Sequence, residues 1–273
     1  MPELPEVETI RIGIESVVIR QTILQVHRSV HPLRGNFTAT KSHRLEGQMI
    51  KEVQRRGKYL LLRFANQEIL MIHLGMSGQL LIDPLKQTMH DHMLIVLSSN
   101  NQIVYRDPRR FGMLAIYEDI AVFEQEKLLG PDGNSPKLTA EYLKQFCQNK
   151  KKTIKALLMD QKIIAGIGNI YASEILFVTQ VSPFKTGEEL TEDEYQKIAI
   201  YTKNILQTAI TVGGTSLKDY RQVNGNLGYF QQQLKVYNKA GALCNVCKHI
   251  IERCIQAGRA TFYCPKCQEV ERI

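Results

Sequence analysis

The sequence has no apolar run approaching the ~20 residues needed to cross a bilayer. Its first residues include Glu3, Glu6 and Glu8 in place of the basic-then-apolar pattern of a secretory signal. No lipidation motif, basic amphipathic helix or internal repeat is found. These absences argue against a membrane-bound, exported or solenoid protein and lead to the expectation of a soluble cytoplasmic chain. In that compartment six cysteines argue against a disulfide framework. A dinucleotide fingerprint is missing as well. Ala165-Gly166-Ile167-Gly168-Asn169 supplies two glycines, but Tyr171 stands where the third belongs, and no parallel-sheet pattern surrounds it.

What is present begins with charge. Thirty-five Lys and Arg against twenty-seven Asp and Glu give a net charge of +8, which favours a polyanionic partner without identifying it. With 273 residues, 44% of them apolar, the chain can bury a good core and has length for two domains. Four cysteines are spaced for metal. Cys244-Asn245-Val246-Cys247 and Cys264-Pro265-Lys266-Cys267 are C-x₂-C knuckles sixteen residues apart, the arrangement of a four-thiolate zinc site. Cys147 and Cys254 are left over as inert thiols. Metal would fix a small hairpin too short to fold by itself, with Arg259 projected near its tip.

Hydrophobic periodicity separates the chain into parts. An opening helix is expected from Pro5 in its first turn, Glu6 and Glu8 at its positive end, and an apolar stripe of Val7, Ile10, Ile14 and Val17. Strands are expected at 22–27, 50–64, 68–74, 92–98 and 103–106, which together suggest a β-sandwich or barrel. Turn formers concentrate at 129–136, the expected hinge. Helices follow at 140–148, 152–161, 169–178 and 191–212. The last is marked by a Thr191–Glu194 capping box, a stripe of Tyr195, Ile198, Ile205 and Ala209, and a Gly213-Gly214 stop. Residues 215–233 read as a loop. Glycines leading into the helix at Asn169, with Lys150, Lys151, Lys152, Lys155 and Lys162 nearby, offer backbone N–H groups and positive charge to a phosphate. The segment 235–273 holds seven Lys and Arg against three Glu.

The start, Met1-Pro2-Glu3-Leu4-Pro5-Glu6, admits a specific chemistry. Removal of Met1 would leave Pro2 as a secondary amine, and an α-amine with a pKa of about 7.7–8.0 is partly uncharged near neutrality. Its condensation product with an aldehyde is an iminium with no N–H proton to lose, an electron sink suited to elimination.

Pro2-Glu3-Leu4-Pro5-Glu6 at one end and Gly258-Arg259, Thr261 and Cys264-Pro265-Lys266-Cys267-Gln268 at the other resemble bacterial formamidopyrimidine-DNA glycosylase. Between them, in the family's order, lie Arg55-Arg56-Gly57-Lys58-Tyr59, His73-Leu74-Gly75-Met76-Ser77-Gly78, His90-Asp91-His92, Asp107-Pro108-Arg109-Arg110-Phe111-Gly112 and Gly166-Ile167-Gly168-Asn169-Ile170-Tyr171. The resemblance implies an α+β multidomain chain. A β-sandwich catalytic domain with a leading helix is expected over 1–130, a helix-two-turn-helix domain with a lesion loop over 131–234, and a four-cysteine zinc finger holding one structural Zn²⁺ over 235–269.

The implied enzyme is a DNA glycosylase and abasic-site lyase of base excision repair, removing 8-oxoguanine and formamidopyrimidines from duplex DNA and cutting the strand by β,δ-elimination through a Pro2 Schiff base. In that scheme Glu3 is a general acid and Glu6 orients the amine or relays protons. Lys58 assists base loss and elimination, and Arg259 holds a phosphate. Met76, Arg109 and Phe111 fill the space left by the flipped nucleotide, while His90, Lys150 and Asn169 contact phosphates. Glu174 is expected to brace the helix-two-turn-helix, and the loop 215–229 to fold over the extruded base. A monomer working at the nucleoid is expected. Departures from the family's pattern are Lys248 and Asn238, where glycine is usual, and Leu227, where proline is common. The rival readings are an endonuclease VIII-like enzyme for oxidised pyrimidines, against which Leu4 and the Arg109-Arg110-Phe111 run both speak, and a non-catalytic zinc-ribbon binder, which would leave Pro2, Glu3 and Lys58 idle.

Overall fold

The computed structural model describes residues 1–31, 33–215 and 230–269. The chain divides into two compact units, one of Met1–Leu128 with Val212–Gln231 and one of Leu129–Thr211 with Gln232–Ile273.

In the first unit the opening helix α1 (Leu4–Val18) starts where Pro5 suits a first turn and Glu6 complements the helix dipole. It buries Leu4, Val7, Ile10, Ile14 and Val18. Val17, expected in the stripe, is half-buried, at the edge of the apolar face, which Val18 continues. Among the described residues, eight antiparallel strands follow as two four-stranded sheets. The strands are β1 (Ile23–Arg28), β2 (Ile50–Arg56), β3 (Tyr59–Phe64), β4 (Ile69–His73), β5 (Gln79–Ile82), β6 (Asp91–Leu97), β7 (Gln102–Arg106) and β8 (Met113–Tyr117). One sheet has the order β1-β6-β7-β5 and the other β2-β3-β4-β8. A single apolar cluster draws Ile10 and Ile14 from α1, Leu62 and Leu114 from one sheet and Ile95 and Tyr105 from the other, so the β-sandwich with a leading helix is the architecture. The expected strand 50–64 is a hairpin. Arg56 pairs with Tyr59 around a two-residue turn, Gly57-Lys58. β5, β8 and two short helices, α2 (Ala39–His43) and α3 (Ile120–Lys127), complete the unit.

The second unit is helical, with α4 (Ala140–Cys147), α5 (Ile154–Leu158), α6 (Asn169–Val178) and α7 (Glu192–Thr211). The Thr191–Glu194 box forms as expected, Thr191 N–H donating to Glu194 at 2.9 Å and Glu194 N–H to Thr191 Oγ1 at 3.2 Å, an arrangement worth about 1 kcal/mol. The buried face of α7 is Tyr195, Ile198, Ala199, Thr202, Leu206 and Ala209. Leu206 takes the place read for Ile205. α5 is half its expected length, its N-terminus set at Ile154 by a bridge from Thr153 to Thr186. The unit ends in a hairpin of β9 (Glu252–Gln256) and β10 (Arg259–Tyr263). Phe177 from α6, Val236, Ile251 and Phe262 pack with Cys244 and Cys264 beneath it. Among the described residues no helix is long and apolar enough to cross a membrane.

Candidate active site and zinc centre

Two carboxylates stand at the start of α1 almost fully out of water, Glu3 at 2% exposure and Glu6 at 1%, with Pro2 buried beside them. Burying such groups is unfavourable unless donors surround them. Glu6 Oε2 accepts the Glu3 N–H at 2.8 Å, the return arm of a capping box, and Oε1 accepts the Thr215 N–H at 2.7 Å. Gly214 makes the second contact sterically feasible: its φ is +78°, and an added Cβ would lie 3.0 Å from Glu6 Oε1. Glu6 thus fixes the first turn and the strand of chain at Thr215 together. The expected lesion loop and Leu227 fall in 216–229, outside the described residues.

Lys58, on the β2–β3 turn, is 6% exposed. His73, at the end of β4 opposite Tyr59, stacks on the Tyr59 ring at 5.0 Å. Burial, and then the charges of Lys58, Arg34 and Lys127, lower its pKa to about 4. Near neutral pH the ring is uncharged, with Nδ1 accepting the Gly75 N–H at 3.2 Å.

Met76 and Phe111 are 40% and 45% exposed, and Arg109 stacks its guanidinium 5.0 Å from the Phe111 ring. Apolar tips left in water are informative when the groups beneath them are buried and polar. Here the buried group is Asp107. Its Oδ1 takes the Ser77 hydroxyl at 2.6 Å and the Arg109 N–H at 3.3 Å, and its Oδ2 takes the Gly112 N–H at 2.8 Å and the Tyr105 hydroxyl at 3.5 Å. One carboxylate therefore ties the Met76-Ser77 loop to the Arg109–Gly112 loop. Burial, and then the Asp107 charge, push the Tyr105 hydroxyl up, so it stays a donor. Gly75 lets the loops touch: at φ +63° its added Cβ would meet the Phe111 carbonyl carbon at 2.4 Å. Arg34 reaches the Phe111 carbonyl oxygen from the far side. The His90 carbonyl accepts the Asp107 N–H at 2.9 Å.

In the second unit Asn169 is hydrogen-bonded to Ala260, the residue next to Arg259 on β10. Asn169 Nδ2 and Lys155 Nζ both donate to the Ala260 carbonyl at 2.9 Å, and Lys155 also donates to Thr261 Oγ1 at 2.7 Å. Lys155 is buried, which corrects its reading as positive charge offered to a phosphate: it ties α5 to the hairpin that carries Arg259. Lys150 is exposed beyond the end of α4, and Arg259 is exposed as the first residue of β10. Glu174, on α6, accepts three backbone N–H groups, from Lys235, Val236 and Tyr237, at 2.8–3.0 Å. Burial raises its pKa against those bonds.

The four knuckle sulfurs lie within 4.8 Å of one another, with Cys244–Cys267 at 3.9 Å and Cys247–Cys264 at 3.4 Å. Tetrahedral Zn²⁺ with Zn–S near 2.3 Å requires sulfurs about 3.8 Å apart, so the donor set fits. A hydrogen bond from the His249 backbone lowers the Cys247 thiol to about 7, whereas burial raises Cys264 and Cys267. Only a cation draws all four into the thiolate form.

Neither Asp107 nor His73 was assigned a role from sequence, although both lie in motif runs. An acid at the end of an apolar strand, followed by turn residues, was the available signal for Asp107.

Residues 1–114 match the formamidopyrimidine-DNA glycosylase N-terminal domain, 129–221 the H2TH domain of the same proteins, and 241–270 the zinc finger found in FPG and IleRS. The formamidopyrimidine-DNA glycosylase of Wolbachia from Drosophila simulans is 39% identical over 273 residues, covering 98% of this chain and all of the relative. That of Salmonella dublin is 43% identical over 271 residues at the same coverage. Among solved structures, the MutM (FPG) protein of Thermus thermophilus superposes with a TM-score of 0.88 at 37% identity, covering 98% of both chains. A Lactococcus lactis FPG mutant in complex with Fapy-dG-containing DNA gives 0.92 at 31% identity, covering 98% of this chain and all of the other. The four cysteines are accordingly those of a zinc finger, and they hold one structural zinc ion.

Proposed function

The chain belongs to the formamidopyrimidine-DNA glycosylase family, and from that premise we propose that the Pro2 amine, freed by removal of Met1, attacks C1′ of an oxidised purine nucleotide in duplex DNA. The protein is a DNA glycosylase with abasic-site lyase activity, acting in base excision repair on a DNA partner. The observation that carries the residue assignment is the pair of sealed carboxylates beside Pro2, which fold stability alone does not call for.

As the Pro2 nitrogen bonds to C1′, the glycosidic bond breaks and the base departs with its electron pair and a proton. Glu3 protonates O4′ as the C1′–O4′ bond opens, leaving a C1′=N⁺ iminium. Loss of a C2′ proton expels the 3′-phosphate, and a second elimination expels the 5′-phosphate. Lys58 serves base loss and the first elimination as proton donor and positive charge. Glu6, with both oxygens engaged by backbone N–H groups, holds Glu3 and the first turn in place. Arg259, His90, Lys150 and Asn169 are proposed to position the phosphates. Flipping the nucleotide costs a few kcal/mol, and Met76 and Phe111 fill the gap while Arg109 bonds the orphaned cytosine. Preference for 8-oxoguanine and formamidopyrimidines, a monomeric state and a place at the nucleoid complete the reading.

The test is borohydride trapping on duplexes carrying 8-oxoguanine opposite cytosine, or thymine glycol. Protein lacking Met1 should form a covalent adduct mapped to Pro2, with 8-oxoguanine preferred. Pro2→Gly, which keeps a primary amine, should retain some lyase activity, and protein retaining Met1 should form no adduct. An adduct on an internal lysine would overturn the nucleophile. Preference for thymine glycol would move the protein to the endonuclease VIII-like reading.

A further inference from the structure

Glu8 lies on α1 two residues after Glu6 and five after the N-cap Glu3. Its carboxylate takes two guanidinium groups, Oε1 from Arg11 Nε and Oε2 from Arg55 Nε, each at 2.8 Å. Arg11 belongs to the same helix. Arg55 belongs to β2, two residues before the turn, and extends a second nitrogen, Nη1, to the Gly57 carbonyl at 3.2 Å. That carbonyl belongs to the peptide joining Gly57 to Lys58. One rigid planar group therefore links the helix bearing Pro2 and Glu3 to the turn bearing Lys58.

The bridge is surplus to the fold's needs. α1 is already seated by Val7, Ile10 and Ile14, and β2 is paired with β3 from Ile50 to Arg56. A sequestered ion pair, with the Arg55 side chain 7% and that of Glu8 16% exposed, recovers little more than its desolvation cost, and its common use is to fix geometry. Only a forked guanidinium can hold both acceptors at once; a lysine ammonium cannot match that fixed fork.

We propose that Arg55, held by Glu8, is a positioning residue for Lys58: it fixes the turn peptide and so sets where the Lys58 amine stands relative to the first residues of α1. This rests on the role proposed above for Lys58. A group misplaced by about 1 Å loses on the order of a hundredfold in rate, so partial loosening should cost about tenfold.

The experiment compares single-turnover base excision on 8-oxoguanine duplex for the full-length zinc-loaded protein and for Arg55→Lys, Arg55→Ala, Glu8→Gln, Lys58→Ala and the Arg55→Ala/Lys58→Ala pair. Affinity for duplex holding a non-cleavable abasic analogue, and the thermal midpoint, are read alongside. Arg55→Lys and Glu8→Gln should slow excision about tenfold with affinity within about twofold of wild type, and the double variant should be no slower than Lys58→Ala alone. Arg55→Lys at the wild-type rate would overturn the proposal, as would losses from Arg55→Ala and Lys58→Ala that multiply. Should Arg55→Ala not fold, Arg55→Lys takes its place in the cycle. Lys58→Ala at the wild-type rate would remove the Lys58 role, whereas a slow Lys58→Ala beside an unaffected Arg55→Lys removes only the bridge.

Discussion

A carboxylate sealed from water needs donors on every side, and Asp107 has the Ser77 and Tyr105 hydroxyls and the Arg109 and Gly112 N–H groups. Asp107→Asn would set an amide NH₂ against some of those donors. The expected cost is about 1–3 kcal/mol of stability, with weaker discrimination between cytosine and adenine opposite the lesion, since Arg109 is no longer fixed. Calorimetry and excision rates on the two duplexes measure both, and unchanged discrimination would detach Asp107 from the site. His73 yields a pH prediction. Its folded pKa of about 4 lies below the ordinary value of 6.5, so the unfolded chain binds the extra proton first. Its contribution is complete above pH 6.5 and is lost as pH falls toward 4, by about 3 kcal/mol at most. Urea midpoints at pH 7 and 4.5 should therefore lie closer together in His73→Gln than in wild type.

At the scale of elements, two positions at which the resemblance led to an expectation of glycine adopt left-handed backbone, Asn238 at φ +61° and Lys248 at φ +63°. Asparagine enters that region at little cost, lysine at a greater one. Lys248→Gly should therefore stabilise the knuckle by about 0.5–1 kcal/mol, read as slower zinc loss to a chelator; faster loss would contradict the strain. Legibility followed the same physics. α6 was readable from Asn169 to Val178 because Gly168 ends the preceding loop and apolar residues run through it. The 50–64 run was continuous in hydrophobicity, and only Gly57 marked the hairpin that presents Lys58. β8, with four successive buried residues from Leu114 to Tyr117, lacks the alternation that signals a strand. In the site, the four cysteines carry their chemistry in their residue types, as do the roles proposed for Pro2 and Lys58. The tying roles of Asp107, Lys155 and Arg55 depend on which carbonyl or N–H lies opposite, and that is a property of packing.

For the whole molecule, metal removal should act regionally. Cys244 and Cys264 are part of the small core with Phe177, Val236, Ile251 and Phe262, so chelation should unfold β9–β10 and abolish DNA cleavage while amides of β2, β3 and β4 stay protected from exchange. Protection of β9–β10 surviving chelation would refute this. The excess of basic residues makes binding a salt-sensitive quantity: Arg259→Ala and Lys150→Ala should each flatten the log K against log salt slope by about 0.9 if each neutralises one phosphate. The Asp107 anchorage also bears on searching. If Met76 and Phe111 wedge into the duplex as proposed, loops tied so firmly do not give way against stacked bases, so the duplex must deform, and it does so most readily at its most pliable steps. An enzyme travelling along undamaged DNA would accordingly report local softness before any chemistry begins.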